Sequence, residues 1–205
     1  MKRPSLHDLL TRLGPVARPI ILEHFIPNCC IATCAILRRV LKYYGYSSEP
    51  IPVSVIIHNA RMIEALRRDE VPERGAPGRD EWFRRTGAYG VGIVPESAGV
   101  SFLKGYQGFG GHVVLRVRNL LIDASIAQAS RPQWGISLPN FLVTEATPGF
   151  LRGEHISRDV NNCRLIYQRI TDYSFRTSRD WRETDLFIEP VRDILQQLTN
   201  EVIHA

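Results

Sequence analysis

The sequence predicts an α+β fold, in which one buried helix precedes a run of antiparallel strands and a second helix ends the chain. Three observations predict it: an amphipathic pattern over residues 29–44, short apolar runs between residues 51 and 170, and an amphipathic pattern that starts at Pro190. Helices and strands ordered in this way are typical of α+β domains. The 205 residues fit one domain, or one domain with an extension, at roughly 150 residues per domain.

The composition is that of an ordinary globular protein. Hydrophobic residues make up 44% and charged residues 23%, which excludes a disordered chain, and the net charge of +5 does not indicate a nucleic-acid partner. No apolar run approaches the roughly 18 residues of a membrane span, and the amino terminus lacks the apolar stretch of a signal peptide. Four cysteines, three of them within residues 29–34, do not resemble a secreted disulfide framework. We therefore expect a cytoplasmic protein with no nucleic-acid and no membrane partner.

The first predicted element is a short helix over residues 5–13 with Ser5 as its N-cap. A short apolar stretch, Ile20 to Phe25, follows after Pro15 and Pro19. Together these segments give an N-terminal helix and lead-in.

Residues 29–44 form the best-defined helix of the sequence. At 100° per residue, Arg38, Arg39 and Lys42 fall on one side and apolar residues on the other. Asn28 is a good N-cap and Gly45 a good C-terminal stop.

The strands follow this helix. Ile51–Ile57, His112–Val117, Leu120–Asp123 and residues 163–170 read as strands, and Ser137–Val143 as a further possible one.

The chain between the first two of these strands is expected to be irregular. Residues 65–100 are rich in Arg, Glu, Gly and Pro and predict a long surface excursion with a short helix near Glu81–Arg85. The glycine-rich segments 87–92 and 105–111 are expected to be loops, because neither has the context of a phosphate-binding loop.

We accordingly divide the chain into three parts. These are an N-terminal helix and lead-in (1–21), a core (22–145) and a C-terminal strand and helix (146–205) packed on the same domain.

Two adjacent cysteines at a helix start are the first chemical signal. Cys29 and Cys30 lie in the first turn, where unpaired N–H groups and the helix dipole stabilise a thiolate and can hold an oxyanion. Free cysteine is also among the most buried residue types, so a purely structural role is the alternative.

The second signal is His112 with Asp123. If Arg118-Asn119 form a two-residue hairpin loop, one face of the hairpin is uniformly apolar and the other carries His112 diagonal to Asp123. A carboxylate there would orient the imidazole and stabilise its protonated form. A loop one residue longer would place the two side chains on opposite faces.

These segments resemble the papain-like cysteine superfamily. Cys30 to Leu37, continued to Gly45-Tyr46, looks like the nucleophile helix of transglutaminase-like and arylamine N-acetyltransferase enzymes, and residues 111–117 and 121–125 resemble their His and Asp strands. The resemblance covers about residues 22–140. It implies a papain-like fold, with a central cysteine-bearing helix packed on an antiparallel sheet.

Carried over residue by residue, the resemblance makes Cys30 the nucleophile, His112 the general base and Asp123 the orienting acid. Cys29 remains a rival, because helical phase places both cysteines symmetrically about the buried face; the choice of Cys30 rests on its distance from Gly45.

Three more side chains are candidates for oxyanion or substrate contact. His24 stands where papain-like peptidases have a glutamine oxyanion donor, Asn28 can donate a hydrogen bond, and Gln128 follows Asp123 closely. The N-terminal helical domain of the acetyltransferases and the acidic calcium clusters of animal transglutaminases have no counterpart here. We expect no cofactor and no metal.

The predicted function is thiol-dependent acyl transfer through an acyl-enzyme, as an amide hydrolase, deamidase or transferase. Its substrate would be a peptide, a protein or a small amide or amine. The alternative is a catalytically silent papain-like module that binds a protein partner.

Overall fold

The computed structural model describes residues 4–25, 29–94, 109–182 and 185–203, and it has the predicted α+β class. The α-helices of the described residues are α1 (Leu6–His24), α2 (Cys30–Tyr43), α3 (Ala60–Arg67), α4 (Arg79–Thr86), α5 (Pro148–Leu151), α6 (Arg179–Arg182) and α7 (Ile188–Ile203). The strands are β1 (Glu49–His58), β2 (Gly90–Ile93), β3 (His112–Val117), β4 (Leu120–Asp123), β5 (Leu142–Glu145), β6 (His155–Val160) and β7 (Cys163–Arg169). None of the helices in these ranges combines the length and apolar character that a membrane crossing requires.

The strands form one antiparallel sheet in the order β5-β4-β3-β1-β7-β6, and β2 pairs with β1. The long strand β1 organises it: its residues 49–53 pair with β3, and residues 55–58 of the same edge pair with β2. The sheet curves until it is nearly barrel-shaped. Arg158 on β6 hydrogen-bonds Thr144 on β5, so the two outermost strands approach each other.

The two faces of this sheet pack against different cores. Helices α1, α2 and α7 cover the outer face of β3 and β4 and share one apolar cluster with it. The inner face encloses a second cluster built from the strands themselves and the loops at their ends. The helix that begins at Cys30 therefore lies against the outer side of the strand that begins at His112.

Helix α1 continues through both prolines, contrary to the prediction of a short helix over residues 5–13. Ser5 is its N-cap, as predicted, and accepts a bond from Asp8 N. A proline inside a helix costs about 3 kcal/mol, and for this reason the predicted helix ended before Pro15. Here residues on both sides of Pro15 and Pro19 bury apolar side chains, and this packing outweighs the local cost.

Helix α2 ends as predicted but begins one residue later. Cys29 occupies the N-cap position that we predicted for Asn28, and Asn28 itself lies outside the described residues. At the other end Gly45 has a φ of 76°, and the N–H of Tyr46 bonds to Leu41 O at 2.8 Å, so glycine lets the chain leave the helix.

The prediction for residues 65–100 was partly wrong. The short helix is confirmed as α4, but part of the glycine-rich segment 87–92 is strand β2 rather than loop. Val91 and Ile93 are buried on the inner face, while Gly90 and Gly92 alternate with them on the outer face, so the strand shows an apolar pattern on one side only. Residues 95–108, which include most of the second glycine-rich segment, lie outside the described residues.

Two further strands differ from the prediction. Strand β5 spans Leu142–Glu145 rather than 137–143, because Pro139 has no N–H to donate to a ladder. Strand β6 was missed because it is largely exposed and polar. The turn between β6 and β7 is Asn161-Asn162, with φ of 48° and 62°, a combination that asparagine favours in two-residue hairpin loops.

We predict that alanine substitutions after the second proline distinguish a helix from an extended chain. Ile20 and Ile21 are adjacent and are 4% and 0% exposed, which a helix allows, whereas neighbouring side chains of an extended strand face opposite sides. Ile20→Ala and Ile21→Ala should each lower the free energy of unfolding by about 2–5 kcal/mol, and Leu22→Ala, at a residue that is 42% exposed, by less than about 0.5 kcal/mol. Urea denaturation measures all three variants, and a loss confined to one of Ile20 and Ile21 would contradict the helical assignment.

Candidate active site

The β3–β4 hairpin has the register that the sequence predicts. Leu115 pairs with Ile122 and Val117 with Leu120, so Arg118-Asn119 form the loop. The alternate residues Val113, Leu115 and Val117 are at most 1% exposed and face the helices. Because side chains alternate along a strand, His112 and Asp123 share the opposite, inner face.

The two side chains form a buried ion pair. His112 Nε2 lies 2.8 Å from Asp123 Oδ2, and the residues are 0% and 3% exposed. Asp123 Oδ2 also accepts from the hydroxyl of Tyr167 at 3.0 Å, and Oδ1 accepts from Ser125 N at 3.1 Å. Both carboxylate oxygens therefore have donors, which a buried charge needs.

The protonation of His112 is set by opposing effects. Burial lowers its pKa, but the charge and hydrogen bond of Asp123, followed by the hydrogen bond and charge of Cys30, raise it from 6.5 to about 10. The imidazole is therefore a cation at neutral pH. Its Nε2–H donates to Asp123, which leaves Nδ1–H for a second acceptor.

Cys30 is the thiol that meets this cation. It is the first residue of α2 and is partly exposed, whereas the other three cysteines of the chain are buried. A side-chain hydrogen bond of Cys30 contributes to the raised pKa of His112, and since Asp123 occupies Nε2, the ring nitrogen left to the thiol is Nδ1, which Gln128 also approaches. An imidazolium beside a thiol at a helix N-terminus stabilises the thiolate.

Cys29 has other partners. Its sulfur lies 3.6 Å from Arg18 Nη1 and 3.4 Å from Thr33 Oγ1, both of them buried. Of the two cysteines that the sequence left open, the structure brings Cys30 to His112 and turns Cys29 toward α1. One turn further along α2, Cys34 donates to Val113 O at 3.2 Å, and burial raises its pKa well above the ordinary value.

Of the three additional candidates, the structure brings Gln128 to the site. Its side-chain amide lies 3.3 Å from His112 Nδ1. An amide can accept or donate, so Gln128 suits either protonation state of the ring. His24 ends α1, where its ring lies 3.8 Å from the carboxylate of Asp193, a contact that gives the oxyanion role no support. Asn28 is outside the described residues.

Sequence reasoning missed Tyr167. It lies on β7, three positions in the sheet order from β4, which carries Asp123, and it reaches Asp123 only because the sheet curves. Burial, followed by the charge and hydrogen bond of Asp123, raises its pKa well above 10.0, so the hydroxyl remains a donor. The available signal was the alternation Cys163, Leu165, Tyr167, which places a hydroxyl on a buried face.

Two further observations bear on the chemistry of the chain. Within the described ranges, no group of three or more His, Cys, Asp and Glu side chains is arranged to hold a metal ion. No protein-family model, curated protein or solved structure matches the chain, so its function is argued from the site itself.

We predict that Asp123→Asn reverses the shift of His112. Without the carboxylate charge, burial dominates, and the pKa of His112 should fall from about 10 to below 6.5. Titration of the imidazole by NMR measures it, and Glu145→Gln, at an exposed site on β5, controls for the lost charge. An unchanged pKa in Asp123→Asn would contradict the ion pair.

The same shift predicts how stability depends on pH. A folded-state pKa above 6.5 gives a contribution that is complete below pH 6.5 and is lost as the pH rises toward 10. The free energy of unfolding of the wild-type protein should fall across this window relative to that of Asp123→Asn, as denaturation at several pH values will show.

Tyr167→Phe should weaken the support of Asp123 without discharging His112. The loss of a hydrogen bond to a charged group should lower the free energy of unfolding by about 1.5–3 kcal/mol, while His112 stays protonated at pH 7. Tyr89→Phe is the matched control, because the Tyr89 hydroxyl bonds to no described residue. If both variants lose the same free energy of unfolding, the hydrogen bond from Tyr167 does not support Asp123.

Proposed function

We propose that the protein is a thiol-dependent acyl-transfer enzyme of papain-like architecture, with Cys30, His112 and Asp123 as its catalytic residues. One observation carries the proposal: the only partly exposed cysteine of the chain hydrogen-bonds an imidazolium that a buried carboxylate holds in place. An activated thiol next to an oriented acid–base group is the arrangement that nucleophilic catalysis requires.

The first half-reaction is acylation of Cys30. In the reactive form the thiol proton has left Cys30 and His112 is protonated, and the thiolate attacks the carbonyl carbon of an amide or ester while the π pair moves to the carbonyl oxygen. The first N–H groups of α2 have no intrahelical acceptor and can stabilise this oxyanion. As the tetrahedral intermediate collapses, His112 donates its proton to the leaving amine or alcohol, and the thioester remains on Cys30.

The second half-reaction returns the enzyme to its starting state. In the thioester the thiolate is gone, so the contribution of Cys30 to the raised pKa of His112 is lost. The ring, which has given its proton to the leaving group, is neutral and can accept another proton. It takes a proton from water, giving hydrolysis, or from an amine, giving transfer. The tetrahedral intermediate then collapses and releases the thiolate of Cys30, which again lies beside the protonated ring of His112.

The location and substrate are part of the same proposal. All four cysteines are free thiols, the state that a reducing compartment maintains, and we place the protein in the cytoplasm. A peptide, a protein or a small amide or amine would supply the carbonyl or the accepting nitrogen.

We predict selective alkylation of Cys30. Iodoacetamide at pH 6.5 should modify Cys30 first, because it is accessible and paired with a cation, and His112→Ala should slow the reaction about ten-fold or more. Peptide mapping by mass spectrometry identifies the site. Cys29→Ala is the matched control and should alkylate at close to the wild-type rate.

A thiol-reactive acyl probe tests turnover with the same variants. Release of the acyl group should require Cys30 and His112 and should survive in Cys29→Ala. If Cys30 alkylates no faster than an ordinary thiol and Cys30→Ala changes no acyl release, the acyl-transfer proposal fails and the silent binding module replaces it.

A further inference from the structure

A cleft outside the Cys30 site is built as a binding pocket. It has a volume of about 530 Å³ and lies between β1, β2, α3, α4 and the loop that carries Trp134. Volumes of 300–1,000 Å³ with a mainly apolar lining and a few polar groups are typical of small-molecule sites. Its lining includes Ile56, His58, Arg79, Phe83, Tyr89 and Trp134.

The floor of the cleft is kept open by glycine. Gly90 and Gly92 pair with His58 and Ile56, so both glycines and both partners face the cleft, and Ile56 is 40% exposed. A Cβ on Gly90 would lie 3.0 Å from His58 Cδ2, which is closer than ordinary contact. Glycines inside a strand weaken it and often mark a place where a ligand approaches the backbone.

The walls are aromatic and held in position. Tyr89 and Trp134 stack with ring centroids 4.9 Å apart and planes 8° from parallel. The buried Asn59 joins the walls: its Nδ2 donates to Gly87 O and Trp134 O, and its Oδ1 accepts from the N–H groups of Met62 and Tyr89. The cleft is therefore formed before any ligand binds.

One cation at the cleft has no carboxylate partner among the described residues. Arg79 donates to Pro72 O at 2.8 Å, and its guanidinium lies 5.0 Å from the centre of the Phe83 ring. These contacts fix the cation while leaving donors for an anion. His58 adds a neutral polar group, because burial and then the charge of Arg164 lower its pKa.

We propose that this cleft binds a carboxylate that carries a flat aromatic ring, with the ring against Tyr89 and Trp134 and the carboxylate on Arg79. The aromatic walls favour a flat apolar ligand. Guanidinium and carboxylate match in bidentate geometry, and a half-buried cation with no carboxylate partner among the described residues favours an anion.

The strand register relates the cleft to Cys30. His112 pairs with Val53 and Ile93 with Val55, so the start of β3 and the end of β2 meet along one edge of β1, about two residues apart. The cleft opens on the face of β1 that continues into the face covered by α2. The further step, which rests on the proposed acyl-transfer function, assigns the aromatic carboxylate to the substrate of Cys30.

A matched pair of ligands tests the binding site without relying on catalysis. Calorimetric titration of the Cys30→Ala protein with N-acetyl-tryptophan should give binding about ten-fold or more tighter than with N-acetyl-tryptophanamide, which keeps the ring and lacks the charge. Binding of neither ligand, or equal affinity for the two, overturns the proposal.

Three variants locate the interaction. Arg79→Met should remove the advantage of the carboxylate, and Arg85→Met, on the same helix but outside the cleft, should leave it unchanged. Ile56→Trp should fill the cleft and abolish binding of both ligands. If Arg79→Met and Arg85→Met bind N-acetyl-tryptophan with equal affinity, the role of Arg79 is overturned.

A last measurement separates this inference from the proposed function. Saturating N-acetyl-tryptophan should slow the alkylation of Cys30 in the wild-type protein if the ligand is part of its substrate. An unchanged rate overturns the substrate assignment. If Cys30 proves unreactive but the protein still binds N-acetyl-tryptophan, acyl transfer is rejected and the binding site is supported.

Discussion

The buried pair of His112 and Asp123 is the constraint on which the site depends. Removing both charges from water is costly, and the pair is stable only where other groups replace the lost hydration. Tyr167 and the N–H of Ser125 provide those groups for the carboxylate, and the thiol of Cys30 does so for the ring. Strands β3, β4 and β7 and the start of α2 must therefore all be in place before the ion pair can form.

The curvature of the sheet brings these groups together. In a flat sheet, β4 and β7 would be separated by β3 and β1, and a tyrosine on β7 would not reach Asp123. Curvature also divides the molecule into an outer core shared with the helices and an inner core of strand side chains. His112 and Cys30 lie at the boundary between the two cores, because His112 faces inward while Cys30 approaches it from the helix side. The long strand β1 then extends this boundary toward the cleft at β2.

The four cysteines show how position alone determines chemistry. Cys34 and Cys163 donate to backbone carbonyls in the cores, and burial raises the pKa of each. Cys29 lies beside Arg18 and Thr33 in the contact between α1 and α2. Cys30, next to it in sequence, is partly exposed and lies beside the His112 cation, so of the four cysteines it is the one that suits the proposed nucleophile.

The sequence by itself determined helix α2 with its glycine stop, and it favoured the register in which His112 and Asp123 share a face, because a two-residue loop makes the other face uniformly apolar. The pairing of Val117 with Leu120 then excluded the longer loop that the sequence had left open. Contacts between distant segments decided the rest. Packing carried α1 through two prolines, a one-sided apolar pattern made a strand of the glycine-rich segment at β2, and curvature brought Tyr167 to the acid. Contacts between distant segments also decided between Cys29 and Cys30. Helical phase treats the two cysteines as equivalent, and only the position of the imidazole, about eighty residues away along the chain, distinguishes them.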